Sequence, residues 1–220
     1  MQITKFSYRW STFFDKKCNK FIRQILTDEL YSKQYSRTQD LKDYDSVKLK
    51  KLRTEYLKYP ILPKSKEIHF KVINNIYPSS EFLRLRFNFD RNECIFCKNE
   101  VETTCHIFYE CNCVRNFWSQ IQLWLERKNI PIKLESHVDI LYGMVLENKS
   151  DNLLVNVILI LAKHYIHYSK FFKSPPAFKG FINEFKLYYK SIKFMKSTNA
   201  TELLNQIQNY NLIDPWPWNK

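Results

Sequence analysis

Four of the six cysteines in this chain of 220 residues, together with a histidine, fall within CIFCKNEVETTCHIFYEC, from Cys94 to Cys111. Thiolate and imidazole are the ligands zinc prefers, usually four of them in a tetrahedron. Cys94 and Cys97 have the two-residue gap that lets one tight turn present two sulfurs. His106 follows after eight residues and Cys111 after four more, giving Cys-x2-Cys-x8-His-x4-Cys. This reads as a Cys3His zinc site. Four protein ligands fill the coordination shell, and a closed shell is structural rather than catalytic. Its binding energy becomes folding energy.

Two further thiols compete for the site. On a helix over 103–111, Cys105 projects about 100° away from its neighbour His106, and a Cys-x2-Cys knuckle completed by a histidine is the commoner arrangement. Cys113 shares a direction with His106 but lies about 10 Å further along the axis. Cys111 reaches the ion only where the helix ends near Glu110, and Asn112 as the cap of a next helix supports such a break. Cys105, Cys113 and Cys18 are therefore expected to be ordinary thiols. A disulfide cluster is the competing explanation. MQITKFSYRWSTFFDKK has no apolar core and no small-residue cleavage site of a secretory signal. An intracellular protein is expected, nuclear or cytoplasmic, with its thiols reduced.

The elements that must position the ligands are helical. Phe14, Phe21, Ile22, Ile25, Leu26 and Leu30 recur at helical spacing, and VKLKKLRTEYLKY forms a second helix that Pro60 ends. Ser65 is expected to cap a helix running to Pro78, and Ser79 or Ser80 the helix SEFLRLRF. Thr103 caps a short helix through TCHIFYEC. In CVRNFWSQIQLWLERK, residues Val114, Phe117, Trp118, Ile121, Trp124 and Leu125 make one apolar stripe. Gly143 closes HVDILYG. Ser150 opens the longest pattern, stopped by Pro175 and Pro176, and two more helices follow through AFKGFINEFKLYYKSIKFMK and NATELLNQIQNY. The run LLVNVILILA is about half the length a bilayer requires, so it reads as a buried helix and no membrane partner is expected. Only two glycines argue against sheets needing many tight turns and exclude Gly-rich phosphate loops. The expected fold is mainly α, with a small zinc knuckle made of a short β-hairpin plus a helix. Three regions are expected: an N-terminal helical segment over 1–60, a zinc-knuckle domain over 61–130, and a basic helical region over 131–220.

Thirty-five basic residues against 22 acidic ones give a formal charge of +13. A surplus of this size suits a polyanion, here RNA or DNA; a lysine-rich composition without such a partner is the alternative. Lys163, His167, Lys170 and Lys173 recur at three or four residues, as do Lys186, Lys190 and Lys193 beside Tyr188 and Tyr189. Each set is expected to form a basic face on its helix, with Arg84, Arg86 and Arg91 extending the surface. His164 and His167 lack a carboxylate or thiol at matching spacing and do not make a second metal site. His69 and His137 are isolated. Cys105 beside His106 is no nucleophilic dyad, because adjacent helical residues diverge.

The segment NNIYPSSEFLRLRF, the cysteine cluster and the Phe117-Trp118 pair resemble the zinc-binding segment at the C-terminal end of LINE-type (non-LTR) retrotransposon reverse transcriptases. Cys94, Cys97, Glu102, Thr103, His106, Phe108, Cys111, Phe117 and Trp118 carry the likeness. Downstream, AKHYIHYSKFFKSPPAFKGFINEFKLYYKSI is similar to the corresponding stretch of vertebrate elements, those of fish especially. The likeness spans roughly 60–210. It implies a detached C-terminal module without endonuclease or polymerase, and no Asp-Asp pair for two catalytic magnesium ions occurs in the chain. No enzymatic activity and no small-molecule substrate are expected. The role implied is nucleic-acid binding with weak sequence preference. The alternatives are a protein-interaction module, with Trp216 and Trp218 meeting the partner, and a decayed element fragment without activity.

Overall fold

The computed structural model describes residues 46–130, 132–134, 136–146 and 149–213. The expected helix over Phe14–Leu30, Cys18, and the tail with Trp216 and Trp218 lie outside them.

Eight α-helices run through the described residues: α1 (Ser46–Glu55), α2 (Pro63–Ile73), α3 (Ser80–Phe87), α4 (Asn112–Arg127), α5 (His137–Tyr142), α6 (Lys149–Phe171), α7 (Phe178–Ile192) and α8 (Thr198–Asn209). A 3-10 turn follows α1, and a π-helical turn, His106–Glu110, precedes α4. The centre of the packing is α6, in which Leu154 to Val155, Val157 to Ile160, Ala162 and Ile166 are all buried. A helix apolar on every side must be covered on every side. Helices α2, α7 and α8 pack against it. Among the described residues, no helix is long and apolar enough to cross a membrane.

All six stripe residues of α4 are buried. They meet α7 through aromatic edges: Trp124 lies 5.5 Å from Phe185 and 6.0 Å from Phe178, and Phe117 lies 5.6 Å from Phe181. Edge-to-face pairs of this kind add about 0.5–1.5 kcal/mol each beyond their burial. One hydrophobic core runs from Tyr56 to Leu212. It crosses positions 60 and 130, where the sequence suggests boundaries, and the described residues all fall within one unit, Tyr44–Lys220.

Helix ends depart from expectation for local reasons. Pro63 takes the first position of α2, its missing N–H costing nothing there. Ser65 is therefore inside the helix and buried rather than its cap. The same helix stops at Ile73 instead of reaching Pro78, because Asn75 turns left-handed (φ 52°) and the Ile76 N–H closes on the Lys71 carbonyl at 2.9 Å. Asn129, Lys173 and Asn211 end α4, α6 and α8 in the same way. A chain with two glycines thus uses mostly asparagine where others use glycine. Those two glycines sit where a side chain cannot. Gly143 has φ 110°, and a Cβ there would lie 2.5 Å from Asn156 Oδ1; a Cβ on Gly180 would lie 2.0 Å from the Tyr165 hydroxyl.

Among the described residues there is no strand. The expected β-hairpin at the knuckle reduces to a single antiparallel bridge between Glu93 and Val101. The turn between them takes up Cys94 to Lys98, and Thr103 already begins the next helical turn. No residues are left for a ladder.

Candidate metal centre

The first two cysteines stand on a turn closed by the Lys98 N–H donating to the Cys94 carbonyl at 2.9 Å, with Lys98 left-handed (φ 58°). The turn's base is pinned by Cys94 N–H to Glu100 O at 2.7 Å. The second pair stands on the π-helical turn. Thr103 caps it, its Oγ1 accepting from His106 N at 2.8 Å. The Cys111 N–H then closes on the His106 carbonyl at 2.8 Å, five residues back. An α-helix aligns residues three or four apart; this wider turn aligns the fifth, which is what a His-x4-Cys spacing needs. Cys111 itself (φ −56°, ψ 127°) leaves the helical region and caps α4. The break expected near Glu110 is present, with Cys111 in the capping position assigned to Asn112.

The ligand atoms of Cys94, Cys97, His106 and Cys111 all lie within 4.8 Å of one another. Cys94 Sγ is 3.9 Å from Cys111 Sγ, and Cys97 Sγ is 3.4 Å from His106 Nε2. A tetrahedron with metal–sulfur bonds of about 2.3 Å has sulfur–sulfur edges of about 3.8 Å, so the donor set fits one such ion. With a metal on Nε2, the other ring nitrogen, Nδ1, faces Glu100 Oε2 at 3.2 Å. A carboxylate there fixes the tautomer and strengthens the ligand. The hydrogen bond shared with Cys111 and the backbone N–H groups of Cys97 and Phe96 hold the Cys94 thiol below its ordinary value. Cys105 and Cys113 are half-buried and outside the cluster. No second group of this kind, at His164 and His167 or elsewhere, occurs among the described residues.

Glu102 mounts the centre on the body, a role the sequence did not reveal. Its carboxylate is fully buried. Oε2 accepts from Ile95 N, inside the cysteine turn, at 3.2 Å. Oε1 accepts from Ser80 N at 3.0 Å, from Ser80 Oγ at 3.2 Å and from Lys170 Nζ at 2.5 Å. Lys170 also donates to the Pro78 carbonyl at 2.9 Å. On the other side, Trp118 Nε1 donates to Phe108 O at 2.7 Å, joining α4 to the π turn.

The first basic face needs correction. Lys163, His167 and Lys170 do share a side of α6, but that side faces inward. Lys163 is 0% exposed, donates to Leu141 O at 2.8 Å and lies 2.9 Å from His69 Nδ1. Burial holds its ammonium well below the ordinary lysine value. His167 Nδ1 meets the Tyr77 hydroxyl at 2.9 Å, and burial with neighbouring cations brings the imidazole down to about 4. Lys170 belongs to Glu102. Burial cuts Lys163 off from phosphate, His167 and Lys170 are half-buried and engaged by Tyr77 and Glu102, and Lys173, past the helix end, is exposed. On α7, Lys190 and Lys193 are exposed and Lys186 is half-buried. Tyr188 is buried and donates to Pro60 O at 2.9 Å, while Tyr189 is half-buried beneath Lys193, 4.5 Å from its ring centre. Arg84 and Arg91 are exposed, and the guanidinium of Arg86 sits 6.0 Å from the Phe82 ring centre. His69 is an interior residue packed edge-on against Tyr56 at 4.7 Å. His137 opens α5, with its ring 6.1 Å from Tyr109.

A four-ligand Cys3His cluster mounted on a helical body has the form of a structural metal site. Residues 42–118 match the family model described as zinc-binding in reverse transcriptase. Comparison with curated proteins and comparison with solved structures each find no match.

Proposed function

We propose that the chain is a non-catalytic, zinc-stabilised module that binds RNA or DNA, of the fish-like kind found at the C-terminal end of LINE-type reverse transcriptases. Convergence of three sulfurs and one imidazole within 4.8 Å carries this reading, supported by the family match over 42–118. Zinc is the ion these ligands suit, and bound there it supplies cross-linking rather than reaction chemistry. The exposed cations Arg84, Arg91, Lys173, Lys190 and Lys193 are the phosphate contacts. A second reading, a docking module for another protein, draws on α3, which buries none of its residues and exposes Leu85 and Phe87, with Phe89 just beyond.

Metal analysis of the purified chain beside Cys97→Ser, with oligonucleotide binding measured at several salt concentrations, tests both parts. About one zinc per chain is expected, lost with cooperative folding in the variant. Affinity should fall steeply with salt, by a slope of about 0.7–0.9 per phosphate contact. Equal metal content and melting in both proteins would overturn the site. Binding indifferent to salt would favour the protein-docking reading.

A further inference from the structure

Of the tyrosines beside the α7 lysines, Tyr188 is buried and Tyr189 lies half-buried beneath Lys193, yet the molecule exposes other rings. At the end of α6, Phe171 is 77% exposed, Phe172 59% and Tyr168 46%. They are packed edge-on to one another, with ring centres 4.7 Å apart for Tyr168 and Phe172 and 5.5 Å for Phe171 and Phe172. Pre-arranged rings lose little freedom when a flat partner lies on them. The helix end beneath them is fixed, because Lys173 turns left-handed and Ser174 N–H closes on Ser169 O at 3.1 Å.

The surroundings are cationic. No Asp or Glu occurs between Asp151 and Glu184. Lys173 follows the rings directly, and Lys179 stands in the first turn of α7. Lys179, Lys186, Lys190 and Lys193 are spaced at seven, four and three residues. That spacing keeps them within about 60° of arc over about 21 Å of helix. Among the described residues, none of these four, nor Lys173, has an ion pair or side-chain hydrogen bond. Glu184, the one acid of α7, lies off the lysine row and lines a cavity with Tyr168, Leu187 and Ser191.

Resting on the nucleic-acid reading above, we propose that Tyr168, Phe171 and Phe172 form a stacking platform for unpaired bases, and that the lysine row of α7 tracks the phosphates of the same strand. The partner is single-stranded RNA or DNA. A duplex keeps its base faces covered and offers only phosphates; an unpaired strand offers both groups the surface is built to meet. The two features follow each other along the chain, with only residues 174–177 between the rings and the start of α7.

The test uses the full zinc-loaded chain and fluorescence anisotropy. The probes are labelled oligo-dT and oligo-U of about 20 nucleotides, longer than the roughly 4–16 a small domain covers, and a duplex of the same length. Phe171→Ala/Phe172→Ala should bind both single strands about tenfold or more weakly, as losing one or two stacked bases demands. Its duplex affinity should change less than about twofold and its salt slope should stay the same. Lys190→Gln/Lys193→Gln should weaken strand and duplex together and reduce the slope by about 0.7 per contact on single strands. Both ring positions are solvent-facing, so circular dichroism and zinc content should match the parent. Parent-level strand binding by the ring variant overturns the platform and leaves the nucleic-acid reading intact; equal losses on strand and duplex also overturn it. No binding of any probe by the parent sinks both readings. Binding to anionic phospholipid vesicles that the ring variant loses, with strand affinity unchanged, would make the rings a membrane contact and overturn the proposal.

Discussion

Replacing Glu102 removes the carboxylate through which the metal centre is attached to the helices. Four donors converge on it: Ile95 N–H, Ser80 N–H, Ser80 hydroxyl and the Lys170 ammonium. The carboxylate is fully buried and the Lys170 side chain is 21% exposed. In Glu102→Ala the donors lose their acceptor and the partly buried ammonium loses its counter-charge, which costs about 3–5 kcal/mol. Glu102→Gln keeps the shape, but its amide group must turn a donor toward either Ile95 N–H or the Lys170 side. One donor then opposes another, at about 1–3 kcal/mol, beside the loss of charge.

Urea unfolding with zinc present measures this, and melting supports it at about 2–4 °C per kcal/mol for a domain of this size. The alanine variant should melt about 10 °C below the parent, with the glutamine variant between them. Lys170→Met completes a double-mutant cycle, in which the two losses should fall short of additivity by at least about 1 kcal/mol. Glu102→Ala within about 0.5 kcal/mol of the parent, or strict additivity with Lys170→Met, would refute the assignment of this pair as the mount.

Lys163 supplies a pH signature. Burial lowers its folded pKa, so between that value and the ordinary 10.5 the unfolded chain holds the extra proton. Stability must therefore rise with pH through this window, by at most about 1.4 kcal/mol per pH unit for one proton. Urea midpoints between pH 7 and 9 should climb in the parent and flatten in Lys163→Met; identical slopes would refute it. Gly180→Ala gains up to about 1 kcal/mol of helix propensity, but its methyl meets the Tyr165 hydroxyl, whose ring is wedged between Phe117 and Phe181 at 5.8 and 6.1 Å. Net destabilisation of about 1–2 kcal/mol is expected by thermal melting, partly recovered in the Tyr165→Phe background. A stabilised single variant would contradict the packing. The segment 42–118 expressed alone lacks Lys170 and all of α6, so it should show no cooperative melt even with zinc; a sharp two-state transition would show that the matched segment is self-sufficient.

The ligand set was legible because it is chemistry at short range: two sulfurs on one turn, then a histidine and a cysteine at a spacing that an α-helix cannot serve. That misfit itself pointed to a break before Asn112. The apolar stripe of α4 and the buried character of the 153–162 run were equally plain, since period and hydrophobicity fix which face turns inward. What the sequence hides is the direction of a polar stripe on a helix that is apolar elsewhere. Lys163, His167 and Lys170 have the spacing of a solvent face, but the covering of α6 by α2, α7 and α8 turns that spacing into interior pairing with His69, Tyr77 and Glu102. Glu102 stood in the motif, but its part as the mount stayed hidden for the same reason: Ser80 and Lys170 are 22 and 68 residues away.

The candidate metal centre and the helical core are joined through a few bonds. Between Asn88 and Val101 only Cys94 and Phe96 are buried. No strand ladder holds this stretch, so burial and backbone pairing together are too sparse to offset the roughly 1–2 kcal/mol per residue that ordering costs. An ion worth on the order of 10–16 kcal/mol to a zinc peptide closes that gap. An ion alone would order only a free-standing knuckle. Glu102 fastens the turn to α3 and α6, and Trp118 fastens the π turn to α4; Phe108, packed 4.7 Å from Tyr77, fills the space between. On the zinc reading proposed above, the residues around the ligands serve as the mounting: they would transmit the order imposed by four metal bonds into the placement of α3 and the end of α6. These two elements expose Arg84, Phe87, Phe171 and Phe172, so loss of the ion should disorganise that surface before it melts the core.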